Sequence, residues 1–342
     1  MEKVHKGDAT FFIAEIGINH NGNRDEALSM IEAAAGAGAD AVKLQTFVPE
    51  EMYSRYTNSM LRGEKNLVAD TAQIDFFRRF VLGEDDYHEL KRAAEAANLV
   101  FFSSAFDIQS VEMLERVGIP LYKLASSEVT NTPLLERVSA TGKPVIMSTG
   151  ISTGDEIGRA IDTLRRGGTS GIILLHCVAL YPLPCDKANL SRISSLRERF
   201  GIPVGFSDHS TDGRGCALAA MLGARVFEKH FMPEEGYDCP DAAVSLSPAE
   251  FRRMRGDVET AMEMMGDGRI DYDFSEKEVA NSARRSLFSR RPLRAGEALD
   301  RDAVAVKRPG VGMPVADLRR MLGRTSRRDI PEDFPLRLED FE

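Results

Sequence analysis

Several short stretches of the chain end in side chains that could hold an oxyanion, move a proton or bind a metal ion. They deliver Lys43 and Gln45; Ser103 and Ser104; Lys123, Ser126 and Glu128; Ser148 and Thr149; His176; Ser207, Asp208 and His209; and Glu228 with His230. The most concentrated is Phe11–Asn23, an apolar run interrupted by Glu15 that leads into a turn of Asn19, His20, Asn21, Gly22 and Asn23. Lysines and hydroxyls bring charge and hydrogen-bond donors to phosphate or carboxylate oxygens. His209 and His230 could place two imidazoles on one divalent cation, leaving positions for water or a substrate oxygen. Glu15 and Glu128 offer a carboxylate pair for proton transfer. A single buried lysine reads as a structural ion pair. Ionisable groups at equivalent strand ends read as a site, because each is costly to desolvate without a partner or ligand.

The elements that must carry these residues alternate regularly. Apolar, β-branched or aromatic runs cover Phe11–Asn19, Asp40–Phe47, Val100–Phe106, Leu121–Glu128, Pro144–Gly150, Gly171–Val178, Pro203–His209 and Ala224–Phe231. Amphipathic segments such as Arg24–Ala37, Asp85–Asn98, Thr132–Thr141 and Thr153–Arg166 lie between them, several opened by N-cap residues. Eight such units predict a parallel (β/α)8 barrel, with a doubly wound open sheet as the alternative. Each run is apolar early and polar late, so the polar residues converge on the C-terminal mouth of the barrel. Ser247–Met265 reads as a capped helix whose methionines join the core. Residues 266–283 read as a linker with some helix. From 284 to 342 short strands and turns suggest a second, β-rich domain, so the barrel spans 1–265.

Composition narrows the function classes. A net charge of −9 over 342 residues argues against nonspecific nucleic-acid binding. No apolar run approaches a membrane span, and the first ten residues hold no signal-peptide core, so the expectation is a cytoplasmic protein. Cys177, Cys185, Cys216 and Cys239 match no zinc or redox spacing and read as reduced thiols. No nucleotide-binding loop is present. From Arg284 onward basic residues outnumber acidic ones, and the Lys307-Arg308-Pro309-Gly310 turn suits an arginine reaching toward an anion.

Taken together, AEIGINHNG, VKLQTF, YKLASSE, MSTG, LLHC with a later Tyr-Pro, GFSDHS, EKHF and the late KRPG resemble the N-acetylneuraminate (sialic acid) synthase family, with its legionaminate, pseudaminate and spore-coat relatives. The resemblance covers nearly the whole chain, with the motifs in family order. It implies a (β/α)8 barrel followed by an antifreeze-like SAF domain, in a domain-swapped homodimer. The implied reaction condenses phosphoenolpyruvate with the open-chain aldehyde of an N-acylated hexosamine, giving a nine-carbon 2-keto acid and phosphate. By this resemblance Lys43, Ser104, Lys123, Ser126, Ser148 and Ser207 match phosphoenolpyruvate contacts. His209 and His230 match the ligands of a divalent metal, manganese or magnesium, and Glu15 a carboxylate beside it. Glu128, Gln45, Tyr181 and Asp241 match positions facing the sugar, and Arg308 an arginine that reaches into the partner's site.

Three departures bear on the sugar. Ala179 stands where family members often carry Asn or Ser, Ser104 where some carry Thr, and Cys239-Pro240-Asp241 where Gly-Pro-Asp is more common. The long segment Pro49–Val81 is expected to cover the sugar, with Asn66 as a further match. Competing readings are a phosphoenolpyruvate-condensing barrel acting on aldose phosphates, a Schiff-base aldolase using Lys43 or Lys123, and a non-catalytic sugar- or ice-binding scaffold.

Overall fold

The computed structural model describes residues 9–270, 273 and 275–342. The rest, including most of the stretch read above for a signal peptide and three residues of the expected linker, lie outside the described residues. The chain divides into two compact units, the first ending at Gly266 and the second running over Asp267–Glu342.

The first unit is a closed barrel of eight parallel strands in sequential order. The strands are β1 Phe11–Gly17, β2 Ala41–Thr46, β3 Val100–Ala105, β4 Tyr122–Leu124, β5 Val145–Ser148, β6 Ile172–His176, β7 Val204–Asp208 and β8 Val226–His230. β1 closes on β8, with Glu15 opposite His230. The crossover helices are α1 Arg24–Gly36, α2 Glu84–Ala96, α3 Ile108–Val117, α4 Thr132–Ser139, α5 Gly154–Gly167, α6 Arg192–Phe200, α7 Arg214–Met221 and α8 Pro248–Met265. Local chemistry sets their ends. Asn23 accepts from the amides of Asp25 and Glu26 to open α1, and Thr153 with Glu156 forms a capping box on α5. A box of Ser247 with Glu250, followed by Pro248 in the first turn, starts α8. Such caps stabilise a helix by about 1 kcal/mol each. The methionines of α8 divide: Met254 is buried, whereas Met264 and Met265 are exposed, so the expected methionine core holds only for its inner face.

Side chains alternate across each strand, and this alternation builds two separate layers. Phe12, Ala14, Val42, Leu44, Phe101, Tyr122, Val145, Leu174, Phe206 and Phe227 face outward and pack under the helices. Phe11, Ile13, Ala41, Phe102, Leu121, Ile146, Ile173, Leu175 and Val226 fill the barrel interior. The next inward residues toward the mouth are Glu15, Lys43, Ser104, Lys123, Ser148 and Glu228, all buried. A charged layer therefore lies on an apolar plug, where water screens it little.

The expected strand Leu121–Glu128 ends early. β4 pairs with β3 and β5 only through Leu124, and Ser126–Thr130 forms a 3₁₀ turn. Glu128 on that turn is bonded to Ser127 and Asn131.

In the second unit, β9 Ser286–Ser289 and β10 Val304–Lys307 form an antiparallel pair. Leu287, Leu293, Leu299, Met313, Met321, Ile330, Leu336 and Phe341 make its core. The helix α9, Glu276–Ala283, belongs to this unit, so the expected linker 266–283 is largely part of it. The Arg308 turn is anchored on both sides. Ser286 Oγ donates to the Pro309 carbonyl at 2.7 Å, and the Gly310 amide donates to Asn281 O at 2.7 Å. Arg308 itself is exposed.

Candidate active site

A cavity of about 250 Å³ opens over the charged layer. Its lining includes Glu15, Lys43, Gln45, Ser104, Lys123, Ser126, Ser148, Tyr181, Ser207, His209 and His230, as the sequence predicts, together with Glu228. Glu228 is one of the polar strand ends read from the sequence, but no role was assigned to it there. The signal lay in alternation: two residues before His230, it shares the inward face of β8, as Ser207 shares a face with His209.

The charges are interlocked. Lys43 Nζ forms an ion pair with Glu15 and lies 3.8 Å from Glu228 Oε2, while donating to Ser104 Oγ at 3.1 Å. Lys123 Nζ donates to Ser148 Oγ at 2.7 Å and lies 3.9 Å from Glu228 Oε1. Ser207 donates to Glu228 at 2.9 Å and Gln45 to Glu15 at 2.9 Å. Burial works against each charge. At Lys43 the two carboxylates outweigh burial and raise the pKa, whereas at Lys123 burial prevails over Glu228 and lowers it. Glu228 resists the upward push of burial because both lysines and the Ser207 hydroxyl hold its pKa below the usual carboxylate range.

Gly17 makes the Glu15–Gln45 contact possible. It has φ +39°, and a Cβ there would come within 2.5 Å of Glu15 Oε1 and 2.9 Å of Gln45 Nε2. Gly150 plays a similar part behind the serines, where a Cβ would meet Cys177 Sγ at 2.8 Å and Ser126 Oγ at 2.9 Å. Ser126 Oγ instead accepts from the Gly150 amide at 2.9 Å and lies 3.0 Å from Cys177 Sγ.

The histidines line the same cavity, ring centroids 5.6 Å apart, with Ser207 Oγ 3.4 Å from His209 Nε2. His209 Nδ1 donates to the Val178 carbonyl at 2.9 Å, leaving Nε2 as an acceptor for the Tyr181 hydroxyl at 2.9 Å. Burial, with His230 nearby, lowers the His209 pKa to about 3, so the ring is neutral. Burial likewise keeps the Tyr181 phenol protonated. His230 Nδ1 is 3.2 Å from Asp241 Oδ2, out of line for a hydrogen bond. Asn19 positions Asp241: its Oδ1 accepts from the Asp241 amide at 3.0 Å, and its Nδ2 donates to Phe231 O and Ser245 Oγ.

Among the described residues no group of three or more His, Cys, Asp and Glu side chains is arranged to hold a metal ion. The two imidazoles nevertheless fit a cation that takes its remaining ligands from water or substrate. His209 is neutral and oriented by a backbone carbonyl, and His230 Nδ1 is buried without a hydrogen bond. A cation on His209 Nε2 would take the place of the Tyr181 hydroxyl.

Other predicted residues lie elsewhere. Glu128 is absent from the cavity lining, and the exposed Asn66 is too. His176 bonds the Ala188 carbonyl at 2.8 Å and stacks on Phe206, pinning a loop. Ser103 turns outward to Thr46. The cavity lining also includes the apolar Phe106, Ala125, Ile151 and Ala179. Ile151 is 76% exposed and holds φ +47°, a left-handed backbone that β-branched residues rarely adopt.

Residues 30–270 match the NeuB family and residues 284–342 match the SAF domain. This chain belongs to the NeuB family. It is 34% identical over 331 residues to the N,N'-diacetyllegionaminic acid synthase of Campylobacter jejuni, covering 96% of this chain and 99% of that one. It is 32% identical over 339 residues to a pseudaminic acid synthase of the same species, covering 97% and 96%. The crystal structure of an N-acetylneuraminic acid synthetase from Leptospira borgpetersenii superposes with a TM-score of 0.71 at 32% identity, over 80% of this chain and 90% of that one. The NeuB barrel and the C-terminal SAF domain thus agree with the expected architecture.

Proposed function

We propose that this NeuB-family chain is a nonulosonic acid synthase, condensing phosphoenolpyruvate with the open-chain aldehyde of an N-acylated hexosamine. The observation that carries the reading is the buried layer of Lys43, Lys123, Ser104, Ser148 and Ser207, with the half-buried Ser126, open to one cavity with His209 and His230. Relatives named for legionaminic, pseudaminic and neuraminic acid synthesis support the same class.

The lysines and serines bind the phosphate and carboxylate oxygens, which fixes the enol carbon toward the histidines. C3 of phosphoenolpyruvate attacks the aldehyde carbon, forming the new C–C bond. Water adds at C2, with Glu15 taking its proton, and the aldehyde oxygen gains one to become a hydroxyl. The tetrahedral centre at C2 then collapses to the ketone and expels phosphate. Gln45 holds Glu15 in place for this transfer, and Tyr181 and Asp241 bind the sugar.

Charge balance supports a cation. Two lysines face two carboxylates, so the layer is near neutral, whereas the substrate brings a phosphoryl group of about −2 and a carboxylate. His209 and His230 would hold a divalent manganese or magnesium ion, which when bound polarises the aldehyde. In this reading Arg308, on its anchored turn, serves the N-acyl region of the sugar in the partner subunit of a domain-swapped homodimer.

The test is phosphate release from phosphoenolpyruvate with Mn²⁺ and a panel of N-acylated hexosamines, including N-acetylmannosamine and 2,4-diacetamido-2,4,6-trideoxyhexoses. Release with one sugar supports the reading and selects among acceptors. A protein that fails to bind phosphoenolpyruvate overturns it.

A further inference from the structure

The motifs containing His209 and His230 also carry two charged residues that the chemistry does not use. Asp208 precedes His209 and Lys229 precedes His230, and the two are paired across β7 and β8. They point away from the cavity. Lys229 has no exposed surface and Asp208 only 1%, with Nζ 3.4 Å from Oδ2. Lys229 Nζ also donates to the Ser210 carbonyl. Asp208 accepts from the Ser210 amide at 2.9 Å, and the Ser210 hydroxyl lies 2.9 Å from its other oxygen. Cys216 Sγ approaches Asp208 at 3.9 Å from α7.

A buried pair of this kind is a poor means of stabilising a barrel, since apolar residues of similar size would serve as well or better. What it does supply is register. A one-residue slip of β8 would carry Lys229 into the cavity and turn Glu228 and His230 outward. The slipped state would leave Asp208 buried without its partner. The same pair folds the chain back immediately after His209, through both the amide and the carbonyl of Ser210.

We infer that the Asp208–Lys229 ion pair is the positioning device that holds His209 and His230 convergent on one cavity. This rests on the reading that those two histidines serve the reaction. The two residues act through the histidines and touch no substrate.

The experiment compares the parent with Asp208→Asn, Lys229→Met and the double variant. Two readouts are used: ¹⁵N-detected histidine ring NMR and Mn²⁺ titration by electron paramagnetic resonance. Each single change leaves a buried charge without its counter-charge and lowers Tm. The double variant is neutral and keeps an acceptor for the Ser210 amide, so its Tm recovers toward the parent value. Its His209 Nδ1–H signal, protected in the parent by the Val178 carbonyl, is expected to vanish by exchange. Its Mn²⁺ dissociation constant is expected to rise about 10- to 100-fold. A double variant with the His209 signal intact and Mn²⁺ affinity unchanged overturns the proposal. Should the double variant not fold, the isosteric Asp208→Asn alone removes the ion pair while keeping an acceptor for the Ser210 amide: loss of the His209 signal with weaker Mn²⁺ binding supports the proposal, and both unchanged overturn it. A parent that binds no Mn²⁺ overturns the metal reading instead, and the His209 signal then decides this one.

Discussion

The barrel mouth and the SAF domain use charge in opposite ways. At the mouth, Glu15, Lys43, Lys123 and Glu228 are almost wholly buried, and each lies within ion-pair distance of at least one of the others. In the SAF domain, Arg291 with Glu297 and Lys307 with Asp333 pair at the surface, with side chains 31–65% exposed. Buried pairs fail badly when one partner is removed, whereas exposed pairs contribute little. The mouth is thus organised before any substrate arrives. The SAF domain takes its stability from a small apolar core, leaving Arg308 available to a ligand.

Removing a charge from the mouth should give the largest effect. Lys43→Met strands Glu15 and Glu228, and is expected to cost about 3–5 kcal/mol of stability by chemical denaturation and to abolish phosphate release. Little loss of stability would erase the contrast. His209→Ala and His230→Ala should each abolish turnover with the circular dichroism spectrum retained, and near-parental turnover in either would break the metal assignment.

A pH titration sharpens the comparison further. Burial lowers His209 to about 3 and His20 to about 4, from 6.5. Between those values and 6.5 the unfolded chain binds more protons than the folded one. The stability these rings contribute is complete above pH 6.5 and is lost as the pH falls toward 4. The slope is about 1.4 kcal/mol per pH unit for each group. Calorimetric Tm should therefore decline over that window, and a flat profile would contradict neutral buried rings. On the exposed side, Arg308→Ala should raise the sugar KM severalfold with Tm and the phosphoenolpyruvate KM unchanged; a raised phosphoenolpyruvate KM would count against its assignment. Arg291→Ala should produce no resolvable shift in Tm.

Much of the mouth was legible because a parallel barrel strand converts sequence alternation directly into inward and outward faces. Lys43 and Gln45, Ser207 and His209 fall on one face by spacing alone. Where a strand stops is not written in the same code. Leu121–Glu128 is uniformly compatible with a strand, but β4 ends at Leu124 because pairing with its neighbours ends there, and Glu128 goes with the following turn. His176 stands at a strand end as His209 does, yet its ring is captured by a carbonyl twelve residues on, a contact that only the folded loop creates. Glu228 is visible by spacing as a polar strand end, but its place as counter-charge to both lysines comes from contacts that only the folded barrel makes.

Ile151 lines the cavity in a backbone conformation that glycine adopts without steric cost. Such a residue stores on the order of 1–3 kcal/mol of strain. The folded barrel carries that strain at all times. Ile151→Gly would relax the backbone there but also give the unfolded chain more freedom, so the two effects oppose each other in Tm.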